Sequence, residues 1–79
     1  MIFLFLNNWL QMSELSIVIG QLIRKKRIEK RTTQESLALQ CSIDRSYIGR
    51  IERGEVNLTV EKLYEIASVL EVDVRELLP

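Results

Sequence analysis

The stretch from Gln34 to Arg53, QESLALQCSIDRSYIGRIER, limits the possible folds of this chain more than any other. It reads as two short helices meeting at a sharp turn. Leu37 and Ala38 fall on one side of the first helix, and Ile48 and Ile51, three apart, fall on one side of the second. Those sides pack together when a small residue stands at the crossing. Ala38 is that residue, while Cys41 and Ile43 fill the space beneath the turn.

The second helix has another side, on which Arg45, Ser46, Gly49, Arg50 and Arg53 follow one another at helical spacing with no carboxylate among them. Such a face calls for an anionic or hydrogen-bonding partner. A helix is about 10 to 12 Å across, the width that the major groove of B-DNA admits, and Arg and Ser reach base edges and phosphates. The formal net charge of zero hides an uneven distribution. Between Arg24 and Arg53 stand nine bases (Arg24, Lys25, Lys26, Arg27, Lys30, Arg31, Arg45, Arg50, Arg53) against four acids (Glu29, Glu35, Asp44, Glu52). The remainder holds Lys62 and Arg75 against seven acids. A polarised chain of this kind steers DNA to one side without net charge. Charge alone fits two solvated helix faces equally well.

The stretch resembles the helix-turn-helix of the Xre and lambda-repressor-like regulators, and the match runs over roughly Gly20 to Leu78. It is carried by Thr33-Gln34, Leu37-Ala38, the run Asp44-Arg45-Ser46-Tyr47-Ile48, and Ile51-Glu52-Arg53-Gly54. With Asn57-Leu58-Thr59 added, the sequence is most similar to the controller proteins of restriction-modification systems, although phage repressors and antitoxins share most of the pattern. The resemblance implies an all-α, five-helix lambda-repressor-like domain. It implies a transcriptional regulator that binds a pseudo-palindromic double-stranded DNA operator as a homodimer in the cytoplasm, with RNA polymerase a further partner and no cofactor.

Residue by residue, the resemblance places Gln34 against backbone phosphate and pairs Arg27 with Glu52. It sets Arg45 and Ser46 in the first turn of the recognition helix, where base edges are met, with Arg45 as principal reader, bidentate to a guanine. Tyr47 is left between covering the core edge and reaching a phosphate. Arg50 and Arg53 face outward further along, and Asn57 touches phosphate. Val72, Leu77 and Leu78 form the dimer surface. Arg31 and Ser42 stand where relatives often carry glycine, so the bend at Arg31 is expected to be built differently.

Seventy-nine residues make one domain with one modest core. With no histidine and a single cysteine, Cys41, the usual metal clusters and an internal disulfide are absent, and Cys41 reads as a small buried hydrophobe. There is no Gly-rich phosphate loop, which with the missing histidine discounts an enzyme. A second class stands beside the regulator: an antitoxin-like protein-interaction module that kept the fold and lost its groove contacts.

Residues 1–12 precede the domain proper, 13–79. The apolar run Ile2 to Leu6 is too short for a bilayer and carries no signal-peptide features. It is either a segment packed on the core or across a dimer, or a poorly ordered tail; the tail is preferred because the resemblance covers none of it. Ser13 or Ser16 caps the first main helix, whose stripe is Leu15, Val18, Ile19, Leu22 and Ile23. Gly20 inside it costs about 1 kcal/mol relative to alanine and implies a close neighbour. Thr33, Asp44 and Thr59 cap the next three helices, and Gly54 closes the third in a left-handed conformation. The fourth helix buries Val60, Leu63, Tyr64, Ile66, Ala67 and Leu70. An Asp73–Glu76 capping pattern starts a fifth over Val74 to Leu78.

Overall fold

A computed structural model describes the backbone from Ile2 to Pro79 and the side chains from Glu14 onward. It contains helices α1 (Ile2–Glu29), α2 (Gln34–Gln40), α3 (Arg45–Glu52) and α4 (Val60–Leu70), and then a 3₁₀ turn, Val74–Leu77. Among the described residues there is no strand. Four α-helices rather than five therefore make the fold among the described residues. The Asp73–Glu76 capping box is present in full, but only four residues follow the cap before the chain extends at Leu78, enough for 3₁₀ bonding and too few for an α-helix.

Helix α1 passes through both Ser13 and Ser16, so neither is a cap. Ser16 instead donates its hydroxyl to Asn57 Oδ1 at 2.8 Å, tying α1 to the loop before α4. The expectation that residues 1–12 stand apart as an extension turns on side chains outside the described residues. Thr33 and Thr59 cap as expected, accepting from Ser36 N and Lys62 N. Asp44 occupies the N-cap position of α3 with extended backbone, but its side chain makes no capping bond.

The core joins Ile23 of α1, Leu37 and Ala38 of α2, Ile48 and Ile51 of α3, and Leu63, Ile66, Ala67 and Leu70 of α4, with Cys41 and Leu77 closing its ends. Each large side chain so enclosed stabilises the fold by about 1.5–3 kcal/mol. The expected stripes were too wide at their edges. Leu15 is 41 % exposed, Val60 70 % and Tyr64 58 %, because the inward row of α4 is the i, i+3, i+4, i+7 set from Leu63 and its flanking positions have no helix above them. Lys26, unusual for a helix packed on a core, is half-buried and reaches Glu76 at 3.2 Å and Glu29 at 3.4 Å, fastening α1 to the terminal turn.

All four helices end in the same way. The residues just past them, Arg31 (φ 55), Ser42 (φ 56), Gly54 (φ 76) and Glu71 (φ 56), are left-handed. Paired backbone bonds accompany each, such as Ser42 N to Leu39 O with Ile43 N to Ala38 O, the Schellman arrangement. The bend at Arg31 thus has the geometry a glycine would give, with the strain borne by arginine. Gly20 sits where α1 meets the end of α3, and a Cβ there would collide with the carbonyl oxygens of Ile51 and Glu52. Gly54 lies as close to the α1 backbone at Ile17.

Candidate nucleic-acid interface

Recognition by a helix requires that it be held rigidly from behind, and α3 is held by a buried ion pair. Arg27 donates from Nε to Glu52 Oε2 at 2.6 Å and from Nη2 to Glu52 Oε1 at 3.1 Å, while its Nη1 bonds the Thr32 carbonyl at 2.9 Å. Gln34 completes the set, its amide nitrogen donating to Glu52 Oε1 at 3.0 Å. The end of α1, the start of α2 and the end of α3 therefore converge on one carboxylate. Gln34, expected at a phosphate, has its donor amide engaged here and stands half-buried at the first position of α2.

With Ile48, Ile51 and Glu52 turned inward, α3 leaves Arg45, Ser46 and Arg50 exposed on the opposite side. Gly49, which the spacing put on that outward face, is buried, because the Arg53 guanidinium folds back over it. Tyr47 is partly buried, and its ring packs against the core. Arg24, Lys25, Lys30 and Arg31 are also exposed, at the end of α1 from which the chain enters α2. Of the nine bases in this region, Lys26 and Arg27 are spent on internal ion pairs.

One residue that the sequence reading overlooked alters this surface. Glu55, in the loop after α3, accepts from Arg53 Nε at 2.6 Å and lies 3.9 Å from Arg50 Nε. The hydrogen bond from Arg53 holds the Glu55 carboxyl below its usual range, and raises the arginine in turn. A carboxylate three residues past a helix end is poorly placed on a helical wheel. The signal lay in the left-handed Gly54, which turns the chain back toward α3.

Asn57 is exposed, with its side-chain oxygen on Ser16. Of the three residues expected at a dimer surface, Leu77 is fully enclosed by the chain's own core, Val72 is partly buried against that core, and Leu78 is 41 % exposed. Leu77 is therefore a core residue, and any apolar contact offered outward at this end comes from Val72 and Leu78. No helix among the described residues is long and apolar enough to cross a membrane.

Known proteins resemble this chain in sequence and in overall fold. Control protein C.BamHI of Bacillus amyloliquefaciens is 34 % identical over 67 residues, 84 % of this chain and 83 % of that protein. Control protein C.MunI of a Mycoplasma species is 36 % identical over 67 residues, 84 % of this chain and 90 % of that one. The crystal structure of the restriction-modification controller protein C.AhdI from Aeromonas hydrophila superposes with a TM-score of 0.74 at 38 % identity, covering 77 % of this chain and 92 % of that one. The model of the helix-turn-helix family HTH_3 matches residues 23–77, from the buried Ile23 of α1 to the buried Leu77 of the terminal turn. With α2, the left-handed turn at Ser42 and α3 all inside that match, the chain belongs to the helix-turn-helix family HTH_3.

Proposed function

We propose that this chain is a DNA-binding transcriptional regulator of the restriction-modification controller type, acting as a dimer on a pseudo-palindromic operator. The observation that carries the reading is the exposed trio Arg45, Ser46 and Arg50 on a helix whose other side is fixed by Ile48, Ile51 and the Arg27–Glu52 pair. An eight-residue helix so braced enters a major groove with its first turn toward base edges, Arg45 foremost. Arg53 and the exposed bases at the end of α1 supply phosphate contacts and hence salt-dependent affinity. Gln34 fixes α3 through Glu52, and its phosphate contact is made by the α2 backbone N–H groups or after exchange of that bond. Tyr47 and Asn57 flank the groove-facing turn and meet the sugar-phosphate backbone. Val72 and Leu78 contribute to the two-fold contact that sets two α3 helices one turn of DNA apart. A cytoplasmic location and contact with RNA polymerase go with this reading, and catalysis does not.

The named relatives support the gene class: two are control proteins and the third is a restriction-modification controller. Band-shift titration of the protein against the DNA upstream of its own gene and against random sequence tests it. Preference for the upstream site at physiological salt is the expected result; equal affinity for both would overturn the reading.

A further inference from the structure

An open groove of about 360 Å³ lies between α1, the loop at 55–59 and the start of α4, with Leu15, Ile19, Val56, Leu58, Val60 and Leu78 among its walls. Leu15, Val60 and Leu78 stay 41 %, 70 % and 41 % exposed, so the chain leaves its own groove uncovered. None of Arg45, Ser46 and Arg50 lines it. The same chain carries an apolar stretch that takes no part in the proposed DNA contacts: Ile2, Phe3, Leu4, Phe5, Leu6, Trp9 and Leu10. The family match begins only at residue 23.

We propose that residues 2–10 of one chain occupy this groove on a second copy, each arm filling the other's groove about a two-fold axis. The geometry of α1 excludes the groove's own arm. The helix is continuous from Ile2 to Glu29, and at 1.5 Å per residue the arm leaves Leu15 along the axis for about 20 Å, away from the walls that Leu15 and Ile19 begin. A second copy related by a two-fold axis meets the opposite condition, because whatever one arm covers on its partner the partner's arm covers in return. Area argues the same way. A stable dimer buries about 800 Å² on each side, more than Val72 and Leu78 present by themselves. Leu78 is one of the groove's walls, so the arm enlarges the contact assigned to the C-terminal residues instead of competing with it. The inference concerns assembly and stands apart from DNA binding, which its test does not use.

Trp9 is the only tryptophan in the chain, which makes it a direct reporter. Its emission is followed across a protein dilution series beside sedimentation velocity, for the full chain, for Val60→Glu in the groove wall, and for Phe3→Asp with Phe5→Asp in the arm. Val60 is exposed enough that its replacement leaves the fold intact, which circular dichroism verifies. Trp9 emission is expected to shift to the blue in step with dimer formation, and either variant to weaken the dimer tenfold or more and leave Trp9 water-like where the parent is dimeric. The proposal is overturned if the shift is independent of concentration, if either variant dimerises as tightly as the parent, or if the parent stays monomeric at 100-fold above the concentration of the titration's start.

Discussion

Arg27 and Glu52, one on α1 and one on α3, are joined by two hydrogen bonds with only 12 % and 3 % of their side chains exposed. Removing one partner strands the other charge out of water. Arg27→Met is therefore expected to destabilise the protein by about 3–5 kcal/mol, whereas Arg27→Met with Glu52→Leu recovers most of that loss. Urea unfolding of the two variants checks this. A single substitution as mild as the double one would mean the pair is solvated.

The two glycines inside helices predict effects of opposite sign. At Gly20 an added methyl meets fixed backbone, the carbonyls of Ile51 and Glu52, so Gly20→Ala is expected to cost about 1–3 kcal/mol despite the better helix former. At Gly49 it meets only the end of the Arg53 side chain, 3.1 Å from Nη1. That tip can move, and Gly49→Ala should then stabilise by up to about 1 kcal/mol. Thermal melts of both variants decide it, and destabilisation by Gly49→Ala would show that Arg53 is pinned where it lies.

Non-glycine residues at helix ends supply a third test. Ser42 holds a left-handed conformation, which strains any residue with a Cβ by about 1–2 kcal/mol. Part of that is offset by the greater freedom glycine has in the unfolded chain, so Ser42→Gly is expected to gain about 0.5–1 kcal/mol. Chemical denaturation of the variant reads the gain directly. No change in midpoint would mean that the serine hydroxyl compensates.

These helix ends also show where the sequence could be read and where it could not. The register of Leu37, Ala38, Ile48 and Ile51 placed α2 and α3 correctly, because apolar spacing on a short helix leaves one way to bury it. Thr33 and Thr59 were legible as caps through their own side-chain chemistry. Left-handed closure was readable from the residue itself at Gly54 and, through the glycine common there in relatives, was open at Ser42; at Arg31 a different bend was expected, and Glu71 gives no local sign, since a residue with a Cβ does not announce this conformation. Glu55 was missed for a related reason. Its place beside Arg53 depends on the direction in which the chain leaves α3, which periodicity does not encode. Leu77 was misplaced because a terminal leucine reads equally well as a plug or as a sticky surface. The core's open end, fastened by Lys26 to Glu76, makes it a plug.

The terminal turn that carries Leu77 has a built-in acid sensitivity. The side-chain bond from Arg75, followed by its backbone N–H, lowers the Asp73 carboxyl from 3.8 to about 2. Because the folded carboxyl is the stronger acid, its contribution is complete above about pH 4, where the unfolded group is also ionised, and is lost as pH falls through 2. Asp73→Asn should flatten the pH dependence of the melting temperature between pH 4 and 2. A carbon-13 titration of the Asp73 carboxyl should have its midpoint at about 2, and a midpoint at 3.8 would remove the cap from the argument.

The proposed DNA contacts give Arg45 and Glu55 opposite expected effects. If Arg45 reads a base through two hydrogen bonds, Arg45→Ala removes about 1–3 kcal/mol of discrimination between operator and non-operator DNA while leaving most of the non-specific affinity. Glu55 acts the other way, holding Arg53 at 2.6 Å and approaching Arg50 at 3.9 Å, so phosphates must compete with it for those guanidinium groups. Glu55→Gln frees them. Since the pair is exposed, the gain is small, and it should be accompanied by a salt dependence of binding steeper by about one unit, as one further phosphate contact displaces its counterion. Fluorescence anisotropy with operator and scrambled duplexes at several salt concentrations separates the two effects. Arg45→Ala should change the ratio of the two affinities and Glu55→Gln the salt slope common to both; a Glu55→Gln variant that binds more weakly would mean that this carboxylate positions the arginines for DNA instead of holding them from it.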